Sequence, residues 1–260
     1  MKTIEIEEAH DLLLCIAKQF ATICNNNRIP YYMLGGTMLG AVRHKGFIPW
    51  DDDMDFGVPR SYFNQLIQLL DKDLPAPYRC LTYKNHPGVY SAIIKLDDSR
   101  TVVIDPNVRE PIDRQIGLSI DIFPLDYCNI NDVKIKRIFR LWLIYQYIYV
   151  GNSGGSRWKN MIKDVLSTIC PISRETMLNK MHSLIKYLEE GPYLANIFGA
   201  WKYKEFIPKE WYGDKNEYAF EDTFFYGLKE YDKYLCQMYG DYMTPPVGDR
   251  HIHLENVYWR

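Results

Sequence analysis

The residues best suited to chemistry in this chain are acids at close spacing. Asp51, Asp52, Asp53 and Asp55 form a run interrupted only by Met54. From Asp53 to Val58, acids or glycine alternate with Met54, Phe56 and Val58, the two-residue period of a strand with one buried face. Asp53 and Asp55 then share a face, Asp51 joins them if the strand begins early, and Asp52 faces away. Carboxylates held side by side repel each other unless a cation lies between them. A donor set made only of oxygens selects Mg²⁺ or Mn²⁺ over Zn²⁺. A solvated acidic turn is the plainer alternative, weakened here by the alternation and the apolar partners. A calcium loop fails on position: counted from Asp51, the Gly and the Glu that such a loop requires are Phe56 and Tyr62.

Two further groups belong beside these acids. Gly35-Gly36-Thr37 follows a short apolar stretch, Tyr31 to Leu34, and precedes residues that fit one or two helical turns. Small residues between a strand and a helix let backbone N–H groups approach a phosphate. A glycine pair alone is usually only a turn, and no Walker loop follows. A third carboxylate is expected from a neighbouring strand. Leu118 to Phe123 alternates in the same way, burying Leu118, Ile120 and Ile122 and turning Asp121 toward Asp53 and Asp55. Asp105 and Asp126 are less favoured, because each sits where its strand is expected to end.

The elements that must position these groups read as follows. Apolar residues from Ile4 to Ile23 recur at helical spacing, so residues 4 to 24 predict an opening amphipathic helix. Pro59 and Ser61 open a second helix. Strands are expected at Tyr78 to Tyr83, Val89 to Leu96, Thr101 to Ile104 and Gly117 to Phe123. The first 125 or so residues are therefore α+β. Beyond them, Lys134 to Val150, Arg157 to Ile169, Ser173 to Leu188 and Leu228 to Tyr239 all predict helices, with a break at Gly151 to Ser156. We divide the chain into a catalytic core, residues 1–127, and a mainly helical substrate-binding portion, residues 128–260.

Composition narrows the function. The chain has 260 residues and a formal net charge of −2, so bulk electrostatics gives no reason to expect a nucleic-acid partner. Six scattered cysteines without a CxxC pair are expected to be buried thiols in a reducing compartment. Three glutamates follow Met1-Lys2-Thr3 closely, which does not fit a secretory signal. No run reaches the roughly 18 apolar residues of a spanning helix. The expectation is a cytoplasmic protein.

The stretch LGGTMLGAVRHKGFIPWDDDMDFGVPRSYF, residues 34–63, resembles almost position for position the signature of the LicD family. These are phosphocholine-type transferases of bacterial surface glycans, related to fukutin-like proteins and to the nucleotidyltransferase superfamily. Ser119 to Asp126 and Tyr231 to Pro246 also resemble family segments, so the resemblance spans nearly the whole chain. One departure stands out: where relatives often have Phe-Glu-Gly, this chain has Phe220-Glu221-Asp222-Thr223. The resemblance implies a nucleotidyltransferase-like mixed β-sheet flanked by helices. It also implies a CDP-activated donor, typically CDP-choline, and transfer of the phospho-group to a hydroxyl of a glycan or its lipid-linked precursor. In that mechanism Asp53 and Asp55 hold a metal that bridges the donor pyrophosphate, with Asp51 as a possible further ligand. Asp121 binds a second metal or acts as the base. Gly35, Gly36 and Thr37 hold donor phosphate oxygens, and Arg43 and Lys45 neutralise charge on the leaving nucleotide. Lys95 and Arg250 are weaker candidates of the same kind.

Three features stay open at this level. Trp201, Tyr203, Trp211 and Tyr212 offer either an aromatic cage for a choline head group or, more plainly, packing for the helical portion. The basic start and aromatic apolar run of Lys134 to Val150 fit an interfacial helix at the inner membrane face and a buried helix equally well. His251 and His253 are more simply surface residues than site residues. Competing functions are a nucleotidyltransferase acting on a small molecule or an RNA end, and a non-catalytic glycan-binding relative. Absence of a basic stripe disfavours RNA, and clustered carboxylates disfavour the binding module.

Overall fold

The computed structural model describes residues 1–104, 115–150, 173–245 and 256–260. Helix α1 (Ile6–Asn26) buries Ala9, Leu13, Ile16, Phe20 and Cys24 along one stripe, as its periodicity requires. It is followed by β1 (Tyr32–Met33), α2 (Gly35–Arg43), β2 (Asp55–Pro59), α3 (Arg60–Asp73), β3 (Tyr78–Leu81), β4 (Ile94–Asp98), β5 (Thr101–Val103) and β6 (Ser119–Cys128). Next come α4 (Val133–Tyr145), continued by a π-helical turn over Gln146–Val150, and α5 (Arg174–Lys186). The remainder is β7 (Tyr193–Ala195), β8 (Phe206–Pro208), β9 (Asn216–Phe220), β10 (Thr223–Gly227), α6 (Tyr231–Tyr239) and β11 (Val257–Trp259). The fold is α+β.

The central sheet runs β1-β2-β6-β4-β3, with β7 and β8 added beyond β6. Only β2 and β6 are parallel; the other pairs in the sheet are antiparallel. Two-stranded pairs β9-β10 and β5-β11 lie off this sheet. The expected strands mostly appear, but shortened or shifted: β4 begins at Ile94 rather than Val89, and β2 at Asp55 rather than Asp53. Strand β6 is longer than its alternation suggested. It continues through Asp126 to Cys128 because its second half pairs with β7. Asp126 is thus inside a strand, not at its end.

Among the described residues two large apolar cores result, with a small third cluster of Leu81, Val89 and Ile93. The larger packs α1, α2, α3 and α6 on the sheet around Phe20, Met54, Phe56, Ile120 and Ile122. The second is built by α4, α5 and the β7-β8 region, with Ile138, Trp142, Tyr145, Leu178 and Phe198. Strand β6 serves both, through Ile120, Ile122 and Leu125 on one side and Cys128 on the other. Two thiols depart from the expectation of burial: Cys15 and Cys236 sit on the outer faces of α1 and α6 and are exposed. Among the described residues no helix is long and apolar enough to cross a membrane. The expected helix at Arg157 to Ile169, the break at Gly151 to Ser156, and the candidates Asp105, Arg250, His251 and His253 lie outside the described residues.

Candidate active site

Strand register builds the site. Asp55 of β2 pairs with Asp121 of β6, and Asp121 pairs with Lys95 of β4. Directly opposed residues in a sheet point to the same face, so Asp55, Asp121 and Lys95 stand in one row across three strands. Lys95 Nζ reaches Asp121 Oδ1 at 2.5 Å. Beneath this row, Met54, Phe56, Ile120 and Ile122 are buried in the larger core, which fixes the rotation of both strands.

The row opens into a cleft of about 460 Å³, within the range of about 300–1,000 Å³ typical of small-molecule sites. Asp51, Asp53, Asp55 and Asp121 line it together with Gly35 and Gly36, while Asp52 does not. The rest of the lining comes from segments distant in sequence: Trp142 of α4 and Gln146 just after it, residues of the Asn196–Trp201 stretch with Glu205, and Tyr234, Met238 and Tyr239 of α6. Among the described residues the lining includes five carboxylates, those of Asp51, Asp53, Asp55, Asp121 and Glu205, and no Lys, Arg or His. The acids perturb one another accordingly. Burial, followed by repulsion from Asp53, Asp121 and Asp51, raises Asp55 well above the usual carboxylate range, with Lys95 opposing. Burial, then Asp53 and Asp52, push Asp51 up to about 7. Perturbation of this kind, in a cleft, is a mark of functional groups.

The glycines serve this geometry in two ways. Gly35 opens α2 with φ of +50°, a left-handed value that favours glycine, and its N–H donates to the Tyr234 hydroxyl at 2.8 Å. Gly36 is pressed against the acids: a Cβ there would lie 2.5 Å from Asp51 Oδ2. Thr37 is placed differently from the expectation. It is buried, and its hydroxyl accepts from the Asp55 N–H at 2.7 Å, so it holds the start of β2 rather than facing the cleft.

Arg43 and Lys45 also lie outside the cleft lining. Arg43 Nη1 donates to the Tyr242 carbonyl at 2.8 Å, and the Lys45 carbonyl accepts from the Glu221 N–H at 2.7 Å. Both are held by the loop and hairpin architecture on the far side of α2. Glu221, in the departing Phe220-Glu221-Asp222-Thr223 turn, also accepts from the Phe47 N–H at 3.0 Å. That turn therefore braces the loop leading into Asp51 and is no part of the cleft wall. Of the four aromatic candidates only Trp201 lines the cleft. Tyr203 packs on Phe139 and Phe206, Trp211 lies under Lys233, and Tyr212 is buried against Tyr32.

Sequence reasoning missed Glu205, Asn196, Tyr234 and Tyr239 and underrated Lys95. Burial pushes Glu205 up to about 7, against hydrogen bonds from the Trp201 N–H and Asn196. Tyr234 and Tyr239 sit between the two groups of acids. Both are raised by burial, and each feels the charges of Asp55 and of Glu205. No local periodicity marks these positions. The one signal for Lys95 was its place in an expected strand, Val89 to Leu96.

Comparison with known proteins agrees with this geometry. Residues 28–131 match the family model described as LicD/FKTN/FKRP, nucleotidyltransferase domain. The Haemophilus influenzae protein named lipopolysaccharide cholinephosphotransferase LicD is 29% identical over 97% of this chain and 97% of its own length. Uncharacterised proteins of Rickettsia typhi and Rickettsia prowazekii are 38% and 42% identical over 26% and 21% of this chain, covering 23% and 21% of their own lengths. The matched segment carries both glycines and the four aspartates of the cleft, and the similarity to the Haemophilus influenzae LicD protein runs nearly from end to end.

Proposed function

We propose that this protein is a metal-dependent phosphotransferase that moves phosphocholine, or a similar phospho-substituent, from a CDP-activated donor to a hydroxyl of a cell-surface glycan or its lipid-linked precursor. The observation that carries the reading is the row of Asp55 and Asp121 in register beside Asp51 and Asp53, at the glycine-opened start of α2. The name of the Haemophilus influenzae relative, a lipopolysaccharide cholinephosphotransferase, supports the substrate class. In this reading residues 1–127 supply the chemistry and residues 128–260 most of the remaining substrate contacts.

The chemistry of the cleft asks for a cation. A donor pyrophosphate is anionic, and among the described residues the lining has five carboxylates and no basic side chain. Among the described residues no three His, Cys, Asp or Glu side chains are closed into a ready metal cage. The oxygen donors of Asp53 and Asp55, with Asp51 and Asp121 adjacent, nevertheless suit Mg²⁺ or Mn²⁺. When bound, such an ion offsets phosphate charge and polarises the reacting phosphoryl group.

The chain's own groups do the rest. Backbone N–H groups at the start of α2 face the donor phosphates, where the helix N-terminus favours negative charge. Asp121, held by Lys95, accepts the proton of the acceptor hydroxyl. The acceptor oxygen forms its bond to phosphorus as the bond to the CMP oxygen breaks, and that oxygen leaves with the electron pair. The far wall, from Asn196 to Tyr239, shields the reacting atoms from water.

Helix α4 fits the acceptor's setting. Its inner face buries Ile135, Ile138, Phe139, Trp142 and Tyr145, while Lys136, Arg137, Arg140, Leu143 and Ile144 are exposed on the outer face, with Tyr147 beyond them. A basic and apolar outer face suits peripheral attachment to an anionic membrane. Incubation with CDP-choline, a glycan acceptor and Mg²⁺ should release CMP and label the glycan, and EDTA should stop both. Turnover that persists in excess EDTA would overturn the metal mechanism. Incorporation of nucleotide from UTP or ATP instead would make the protein a nucleotidyltransferase.

A further inference from the structure

The end of the cleft away from the aspartate row has its own chemistry, which the transfer step does not use. Glu205 is partly buried there, with Oε1 accepting from the Trp201 N–H at 2.9 Å. Its carboxylate lies against Gly199, where an added Cβ would fall 1.9 Å from Oε2, so the glycine makes room for the acid. Asn196 also bonds this carboxylate. Asn196 is only 6% exposed, lines the cleft, and its Oδ1 has no partner. Turning the amide over would set Oδ1 against the carboxylate, so the acceptor remains the unpaired atom. Trp142 and Phe198, with ring centroids 5.1 Å apart, line the same end.

The carboxyl of Glu205, a spare carbonyl oxygen and two aromatic rings all present negative potential, and a bound cation would hold that carboxyl ionised. An unpaired acceptor at a buried position costs stability, and so does an uncompensated acid. The group that satisfies all of them at once is an organic cation with apolar substituents. Its charge meets the carboxylate, and its alkyl groups meet the ring faces. Trp201 already has the Lys204 ammonium 5.4 Å from its ring centre, so the aromatic surface left to the cleft is the part of Trp142 and Phe198 not packed on Tyr145 and His182.

From this juxtaposition we infer that Glu205, Asn196, Trp142 and Phe198 form a subsite for the alkylammonium head group of the transferred substituent, with Glu205 determining selection of a charged over a neutral group. The inference rests on the proposed transfer reading for its biological sense, but its binding chemistry is separately measurable. Tyr234 and Tyr239 line the same cleft, and each feels the charges of both Asp55 and Glu205.

The test is titration of the full chain with choline and with 3,3-dimethylbutan-1-ol, its uncharged isostere, followed by calorimetry and tryptophan fluorescence. Choline should bind about tenfold more tightly than the isostere, the scale of a partly desolvated cation–aromatic and carboxylate contact. In Glu205→Gln, which keeps the acceptor for the Trp201 N–H, the two should bind alike. Phe198→Leu keeps an apolar wall without the ring and should lower choline affinity more than that of the isostere. Asp53→Ala should leave the preference intact even where it stops turnover. Equal binding of the two probes by the unmodified protein, or an undiminished preference in Glu205→Gln, would overturn the subsite. Failure of glycan labelling with the preference intact would instead count against the transfer reading alone.

Discussion

Carboxylates occur in this protein in two contrasting settings. At the β3-β4 edge and the second half of β6, each buried acid has an arginine. Asp97 takes two bonds from Arg79 and one from the Gly117 N–H, Asp98 is gripped by Arg100, and Asp126 is bound through both oxygens by Arg60. In the cleft, five carboxylates share the lining, with no basic side chain among the described lining residues, and Lys95 reaches Asp121 from the adjacent strand. The first set completes its electrostatics with arginines of the chain. In the second, acids are set beside acids, and in the proposed reading a bound cation offsets their charge.

Substitutions should separate the two sets. Asp55→Asn or Asp121→Asn is expected to lower turnover by at least about 100-fold, the scale of a lost proton acceptor or metal ligand, while the thermal midpoint stays level or rises. A fall in stability parallel to the fall in activity would erase the distinction. Arg60→Ala should do the reverse. It strands Asp126, which burial already raises and Arg60 restrains, and should cost about 3–5 kcal/mol by chemical denaturation. The fraction still folded should keep its turnover rate.

Glu205 sharpens the contrast through pH. Its folded carboxyl, at about 7, stands above the ordinary 4.5, so the fold favours the protonated form. The resulting stability is fully present below about 4.5 and is lost as pH rises through about 7. Asp51 and Asp55, also raised, lose stability over the same window, so Glu205→Gln should remove a share on the order of 3 kcal/mol from the loss between pH 5 and pH 8. An unchanged pH profile in that variant would assign the loss elsewhere. The smallest expected effect comes from Gly36→Ala. The added methyl meets Asp51 Oδ2, so Asp51 must shift, and a divalent ion should bind about tenfold more weakly at a stability cost of about 1 kcal/mol. Unaltered Mn²⁺ affinity by calorimetry would remove Asp51 from the ion's surroundings.

Much of the aspartate row was readable from local pattern. Alternation around Met54, Phe56, Ile120 and Ile122 set which faces are buried, and the acids between them had to point the other way. What alternation does not carry is partnership. Lys95 looked like a solvated lysine because its bond to Asp121 depends on the register of two strands far apart in sequence. Thr37 looked like a phosphate ligand because nothing local reveals that its hydroxyl holds the Asp55 N–H. Asp126 looked terminal because the continuation of β6 depends on β7, roughly seventy residues later. The far wall was the least legible part. Asn196 and Glu205 lie between short strands and a 3₁₀ turn, where no periodicity marks a side chain's direction.

The double allegiance of β6 has a consequence for how this enzyme type can diversify. Its first half carries Asp121 in register with Asp55, and its second half supports the lobe that presents Asn196, Phe198 and Glu205. In the proposed reading, reaction and recognition occupy separate stretches of chain joined by one shared rail, and exchange of the Asn196–Glu205 stretch would retune which substituent is carried while the aspartate row stays untouched.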